Sequence, residues 1–123
     1  MAGYLSHAGD PEPTIEGSDG PGYIFNDEFS RELLHDSVGT LSMANAGSNT
    51  NGSQFFITHG AATELDAFES GVAKNCADDA IACHSVFGRV TIGNEIITGM
   101  AERDPDIAST PGIKIVYISI MEN

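Results

Sequence analysis

The sequence predicts a small, mainly β domain, a sandwich or a barrel, and three observations carry that reading. Apolar residues come in short, strand-length runs rather than in long helical stripes. Each run is bounded by Gly, Asn, Ser or Pro, the residues of tight turns. The chain has 123 residues with no repeat, low-complexity tract or inner linker, which is enough for one modest core.

Residues 11–22, PEPTIEGSDGPG, combine Pro, Gly and acid and can only be a loop. Thr40–Ala44, Gln54–Thr58 and Ser85–Ile92 each give a short apolar run between turn residues, and Ile113–Met121, IKIVYISIM, is the strongest β signal of all. Side chains alternate along a strand, so Phe55 and Phe56 face opposite sides of their sheet. One helix is predicted: Gly93-Asn94 can cap it, Ile96, Ile97 and Met100 share a face, and RDPD at 103–106 ends it. Met43 and Met100 read as core residues.

Composition removes several functions. With 18 acidic and 5 basic residues the net charge is −13, which repels phosphate backbones and anionic membrane surfaces, so nucleic acid is no partner. The acid surplus suits a high-salt or crowded cytosol, and solubility alone explains it as well. No apolar run approaches the ~20 residues of a membrane span. Met1-Ala2-Gly3 has neither the basic nor the apolar region of a signal peptide, and the expectation is a cytoplasmic protein without membrane contact. In that setting the formal glycosylation acceptor NGS at 51–53 stays unused. His7, His35, His59 and His84 are dispersed, so neither metal nor cofactor is expected.

The stretch MANAGSNTNGSQFFIT, residues 43–58, sets the amides of Asn45, Asn49, Asn51 and Gln54 before the apolar run Phe55-Phe56-Ile57. From the residues alone, core packing explains both rings. Extended to GTLSMANAGSNTNGSQFFIT at 39–58 and taken with FNDEF at 25–29, SVFGRV at 85–90, the helix and the terminal IKIVYISI, in this order and spacing, the stretch closely resembles a cyclophilin, the cyclosporin-binding class of peptidyl-prolyl cis-trans isomerase. The resemblance covers residues 1–123 as one domain. It implies an antiparallel β-barrel with two capping helices, here incomplete, with about five of eight strands and one helix.

Rotation about an X–Pro bond faces a barrier of ~18–20 kcal/mol, because amide resonance is lost in the twisted state. Lowering it requires a slot for the proline ring, groups that hold the flanking backbone, and a donor aimed at the prolyl nitrogen. By resemblance, Phe56 is the floor of that slot, Leu65 and Leu5 its sides, and Tyr4 stands where the family usually has Phe. Gln54 and Asn45 would bond the substrate backbone, Ala44 would shape the groove, and His84 would sit at the rim. The implied partners are proline-containing peptides or unfolded protein clients.

Three departures from the family pattern stand out. The segment YLSHAGDP at 4–11 puts His7 and Ala8 where the family has Gln and Gly, and Glu64 stands at the groove tryptophan, which weakens the expected grip on cyclosporin. Residues 69–83, ESGVAKNCADDAIAC, are an insertion that holds Cys76 and Cys83, expected as reduced thiols on a solvent-facing loop. The family's catalytic arginine would fall just before Met1, and none of Arg31, Arg89 or Arg103 aligns with it, so no catalytic residue is assigned. Its absence leaves three readings: an isomerase, a proline-peptide binding module without the catalyst, and a truncated product or mis-called start. Missing strands would leave an apolar edge along Ile113–Met121 and promote self-association.

Overall fold

The computed structural model describes residues 2–3, 21–78, 80–101, 109 and 112–122. Its strands in chain order are β1 (Ala2–Gly3), β2 (Thr40–Met43), β3 (Phe55–Thr58), β4 (Phe68–Glu69), β5 (Val72–Ala73) and β6 (Val86–Arg89). Four form one antiparallel sheet in the order β1-β3-β2-β6, and β4-β5 is a separate hairpin. The one α-helix among the described residues is α1 (Asn94–Thr98). This is a mainly β architecture and, among the described residues, part of a barrel.

Strands β2, β3 and β6 lie where the apolar runs predict them, each shorter than its run. β2 pairs Leu41 with Ile57, Ser42 with Phe56 and Met43 with Phe55. On its other side β2 meets β6 with Leu41 opposite Gly88 and Ser42 opposite Val86, so Phe87 is the extra residue of a bulge. Gly39 feeds this corner. Its N–H donates to the Thr58 carbonyl at 2.8 Å and its own carbonyl accepts from Val90 N–H at 2.7 Å. Its φ is +80°, and a Cβ there would meet Asn94 and lie 3.0 Å from the Val90 Cβ.

The covered face of the sheet is polar. Thr40, Ser42 and Thr58 are fully buried beside Phe56. Each hydroxyl is engaged: Thr58 Oγ1 donates to Ser37 O at 2.7 Å and accepts from Thr40 N–H at 3.0 Å, and Thr40 Oγ1 donates to Ser37 O at 3.1 Å. Ser42 Oγ lies 2.9 Å from His35 Nε2. Asp66 completes the layer, with Oδ1 accepting both the His35 backbone N–H at 2.8 Å and its Nδ1–H at 2.6 Å. His35 and Asp66 are both buried, so each ring and carboxylate atom that meets a partner avoids an uncompensated desolvation cost.

Several expectations are corrected. Ile113–Met121 forms no strand: residues 112–122 are irregular and their large apolar side chains exposed, Val116, Ile120 and Met121 by more than four-fifths. Strand propensity reports fit to a paired, half-buried surface, and no described strand pairs with this segment. Met43 and Met100 are half-buried rather than core. Cys76 and Cys83 are joined in a disulfide with Cα atoms 5.7 Å apart, not free thiols, because local turns at 74–82 fold the insertion back on itself. The insertion also carries the unexpected β4-β5 hairpin, whose turn residues Ser70 and Gly71 both have positive φ, the geometry of a two-residue hairpin loop. Tyr4, Leu5, His7, Arg103 and nearly all of the 11–22 loop lie outside the described residues.

Breaking the buried pair tests this layer. Asp66→Ala strands the His35 ring and backbone donor and is expected to cost about 3–5 kcal/mol in chemical denaturation, whereas Asp66→Asn, which keeps an acceptor oxygen, costs clearly less. Equal losses in both variants would show that the two His35 donors carry little of the stability.

Candidate functional site

The amide-rich loop between β2 and β3 is held from outside by one carboxylate. Asp27, in the FNDEF segment, accepts Asn49 N–H at 2.7 Å through Oδ2 and Asn51 Nδ2–H at 2.8 Å through Oδ1, and Asn49 Oδ1 returns a bond to Asp27 N–H at 3.0 Å. Asn49 takes a positive φ of 59°, which Asn tolerates better than most residues. Phe25 and Asn51 add a pair of backbone bonds at 3.0 and 3.3 Å. Inside the loop, Thr50 Oγ1 accepts Ala46 N–H at 2.8 Å and donates to Gly47 O at 2.7 Å. The neck is closed by Ala44 N–H donating to Gln54 O at 3.0 Å.

This closure brings most of the sequence-predicted site together. Phe56 is buried, 1% exposed. The His35 ring stacks beneath it at 5.9 Å and the His84 ring meets it edge-on at 5.3 Å. Asn45 sits at the loop's neck, its Nδ2–H donating to Cys83 O at 2.9 Å and its Oδ1 accepting Gly47 N–H at 3.3 Å. Gln54 is half-buried, and its side-chain amide makes no hydrogen bond among the described residues.

A 3-10 turn over Thr63–Leu65 carries the exposed Glu64 and half-buried Leu65. Leu65 O accepts His84 N–H at 3.0 Å, and His84 Nδ1 donates to Met43 O at 2.9 Å. His84 is therefore fixed at both its backbone and its ring. Burial holds its pKa below the ordinary histidine value; the Met43 bond opposes that and the field of His35 adds to it.

Two arrangements lie outside the predicted set. Ser42, His35 and Asp66 reproduce the order of a hydrolytic triad, but Ser42 is fully buried, so the chain of bonds supports the sheet and offers no nucleophile. Cys83 enters the site through its carbonyl. A carboxylate within the apolar run LDAF was the available signal for the first; nothing in the sequence signals the second, which depends on how the insertion folds. An open hollow of about 570 Å³ lies elsewhere, beside Phe25, Phe29, Leu33, Met43 and Phe87, and none of the predicted site residues lines it.

Residues 2–120 match the family described as cyclophilin type peptidyl-prolyl cis-trans isomerase/CLD, and the chain belongs to that family. It is 36% identical over 122 residues to the peptidyl-prolyl cis-trans isomerase CYP18-2 of Arabidopsis thaliana, covering 97% of this chain and 65% of that protein. It is 46% identical over 98 residues to the peptidyl-prolyl cis-trans isomerase cyp15 of Rhizopus delemar, covering 78% of this chain and 13% of that protein. The human peptidylprolyl isomerase domain and WD repeat-containing protein 1 is likewise 46% identical over 98 residues, 79% of this chain and 13% of that protein. The chain thus spans less than two thirds of the length of each of these relatives.

The His84 environment has a pH signature. Because its folded pKa lies below 6.5, the folded state binds this proton less readily than the unfolded chain, so its contribution to stability is complete above about pH 6.5 and declines as the pH falls through the folded value. The His84 ring resonances are expected to titrate with a midpoint below 6.5, and a midpoint at or above that value would show the ring to be solvated rather than seated against Phe56.

Proposed function

We propose that this domain holds proline-containing peptides in the groove of Asn45, Gln54, Phe56, Leu65 and His84, as the cyclophilin family does, and that Ala44 shapes the groove beside them. Tyr4, Leu5 and His7 are proposed to complete its wall. The observation that supports this reading is the convergence on one ring: Phe56 is stacked on His35 and met edge-on by His84, and Gln54 lies two residues before it at the loop's neck. Such a site needs no nucleophile, metal or cofactor, because its substrate reacts by twisting one bond.

The reaction proposed is X–Pro isomerisation, with a role in the folding of protein clients. Phe56 would take the pyrrolidine ring out of water, and Gln54 and Asn45 would fix the flanking backbone so that rotation is confined to the prolyl bond. A cytoplasmic location is part of the same proposal; no described helix is long and apolar enough to cross a membrane. The exposed apolar residues of 113–121 are proposed to drive self-association unless they are covered.

A second reading, a binding module with little catalysis, is favoured by the two described arginines. Arg31 donates to Gly71 O at 2.9 Å and lies 5.1 Å over the Phe68 ring, and Arg89 pairs with Asp36 at 2.8 Å. Both are committed away from the groove. A groove without a preorganised donor typically works about 10²–10³ more slowly. Exchange spectroscopy on an Ala-Pro peptide is therefore expected to show isomerisation slower by about that factor than with a relative carrying the arginine, and equal rates would move the catalysis onto Gln54 and Phe56.

Binding is tested separately. On titration with an Ala-Pro peptide, chemical-shift changes should centre on Asn45, Gln54, Phe56, Leu65 and His84, and Gln54→Ala should weaken binding by about 0.5–1.5 kcal/mol, roughly two- to tenfold. Shifts confined to residues 69–83, or full affinity in Gln54→Ala, would contradict the groove.

A further inference from the structure

The insertion at 69–83 is tied to the groove by a few polar contacts. Its internal hydrogen bonds are local: Lys74 N–H to Ala67 O, Cys76 N–H to Lys74 O, Asp78 N–H to Asn75 O and Ile81 N–H to Asp78 O, all between 2.9 and 3.1 Å. Val72 is 69% exposed, and most of the remaining side chains are exposed too, so apolar burial does little to hold the loop in shape. The Cys76–Cys83 disulfide is its covalent constraint. At the far side of that bond, Cys83 O accepts from Asn45 Nδ2–H at 2.9 Å, and the next residue is His84, against the Phe56 ring. Lys74 Nζ fastens the same turn, donating to Glu64 O at 2.7 Å and Ala82 O at 3.3 Å.

We propose that the Cys76–Cys83 pair is a redox modification site, acted on by a dithiol reductant, whose oxidised state holds Asn45 and His84 in the arrangement that grips a proline peptide. The inference rests on the groove reading above. Cys83 is buried and Cys76 only partly so, which makes the Cys76 sulfur the accessible one. A thiolate of the reductant attacks Cys76 Sγ, the Cys76–Cys83 bond breaks, and Cys83 leaves as a thiolate that takes up a proton. Lys74, bonded to the carbonyl of the residue before Cys83, places positive charge on that turn and favours the thiolate. The second thiol of the reductant then attacks the mixed disulfide and releases Cys76. The reductant becomes a disulfide, the protein gains two thiols, and two electrons have been transferred.

Reduction unties residue 83 from residue 76. The His84 bonds to Leu65 O and Met43 O stay in place, but the covalent brace on the other side of residue 83 is gone, so the Cys83 carbonyl that Asn45 uses and the His84 ring against Phe56 are held by those hydrogen bonds alone. The peptide must supply the ordering that the disulfide supplied before, and affinity falls.

The experiment follows the full chain by NMR in mixtures of oxidised and reduced dithiothreitol, with the Cys76 and Cys83 Cβ shifts reporting the redox state. The expected result is that the Asn45 side-chain amide and His84 ring signals move together with the cysteines while the Thr40–Thr58 ladder stays in place. An Ala-Pro peptide should then bind the reduced form roughly three- to tenfold more weakly. The double variant C76S/C83S should match the reduced protein and ignore the reductant. Asn45 and His84 signals that stay put while the cysteines reduce would overturn the proposal, as would a redox response retained by the double variant or a loss of the Thr40–Thr58 ladder. If the peptide bound neither state, the groove reading would fail, and the Asn45 and His84 response would still decide whether the disulfide sets their arrangement.

Discussion

The covered face of this sheet depends on one carboxylate. Asp66 is buried, and a buried carboxylate must be met by donors; it takes two from a single residue, the backbone and ring N–H of His35. That double bond ties the segment before β2 to the turn after β3. It turns the His35 ring flat beneath Phe56 and directs Nε2 at Ser42, which pairs with Phe56 across the ladder. The same carboxylate sits one residue after Leu65, so Leu65 and Phe56 are positioned by the same pair. Removing either partner therefore acts on Phe56 from below and on Leu65 from the side.

A second carboxylate does similar work at the surface. Asp27 fixes the amide-rich loop by accepting from Asn49 and Asn51, and the loop in turn presents Asn45 and Gln54. The residues proposed for the groove are thus brought together from segments far apart in sequence by a small number of carboxylate acceptors rather than by a large apolar core. The apolar side of the sheet, with Leu41, Met43, Phe55 and Ile57, is only half-covered by the described residues, and Phe87 at the bulge is exposed. The stability of the site is consequently sensitive to single polar substitutions.

The strands at 40–43 and 55–58 and the start of the helix at Gly93-Asn94 were legible because local pattern and turn chemistry agree there with the tertiary structure. The block MANAGSNTNGSQFFIT named its own family. Ile113–Met121 misled for the opposite reason: its β-branched and aromatic residues specify a strand only when a neighbour supplies the other half of the ladder. His35 and Asp66, separated by 31 residues, have no local signature, and their pairing emerges only when β2 and β3 fold together. The disulfide was misread from the reducing setting expected of the chain, although the turns at 74–82 bring Cys76 and Cys83 to bonding distance. The contact of residues 69–83 with Asn45 runs through a backbone carbonyl, which sequence pattern does not encode.

The central claim is that a proline ring lies on Phe56 between Leu65 and His84, and intermolecular nuclear Overhauser contacts from a bound Ala-Pro peptide test it most directly. The account predicts contacts from the proline ring protons to the Phe56 and His84 rings and the Leu65 methyls, with the neighbouring peptide amide close to Gln54. Contacts to Phe25, Phe29 and Phe87, which border the hollow on the other side of Met43, would place the peptide elsewhere and contradict it.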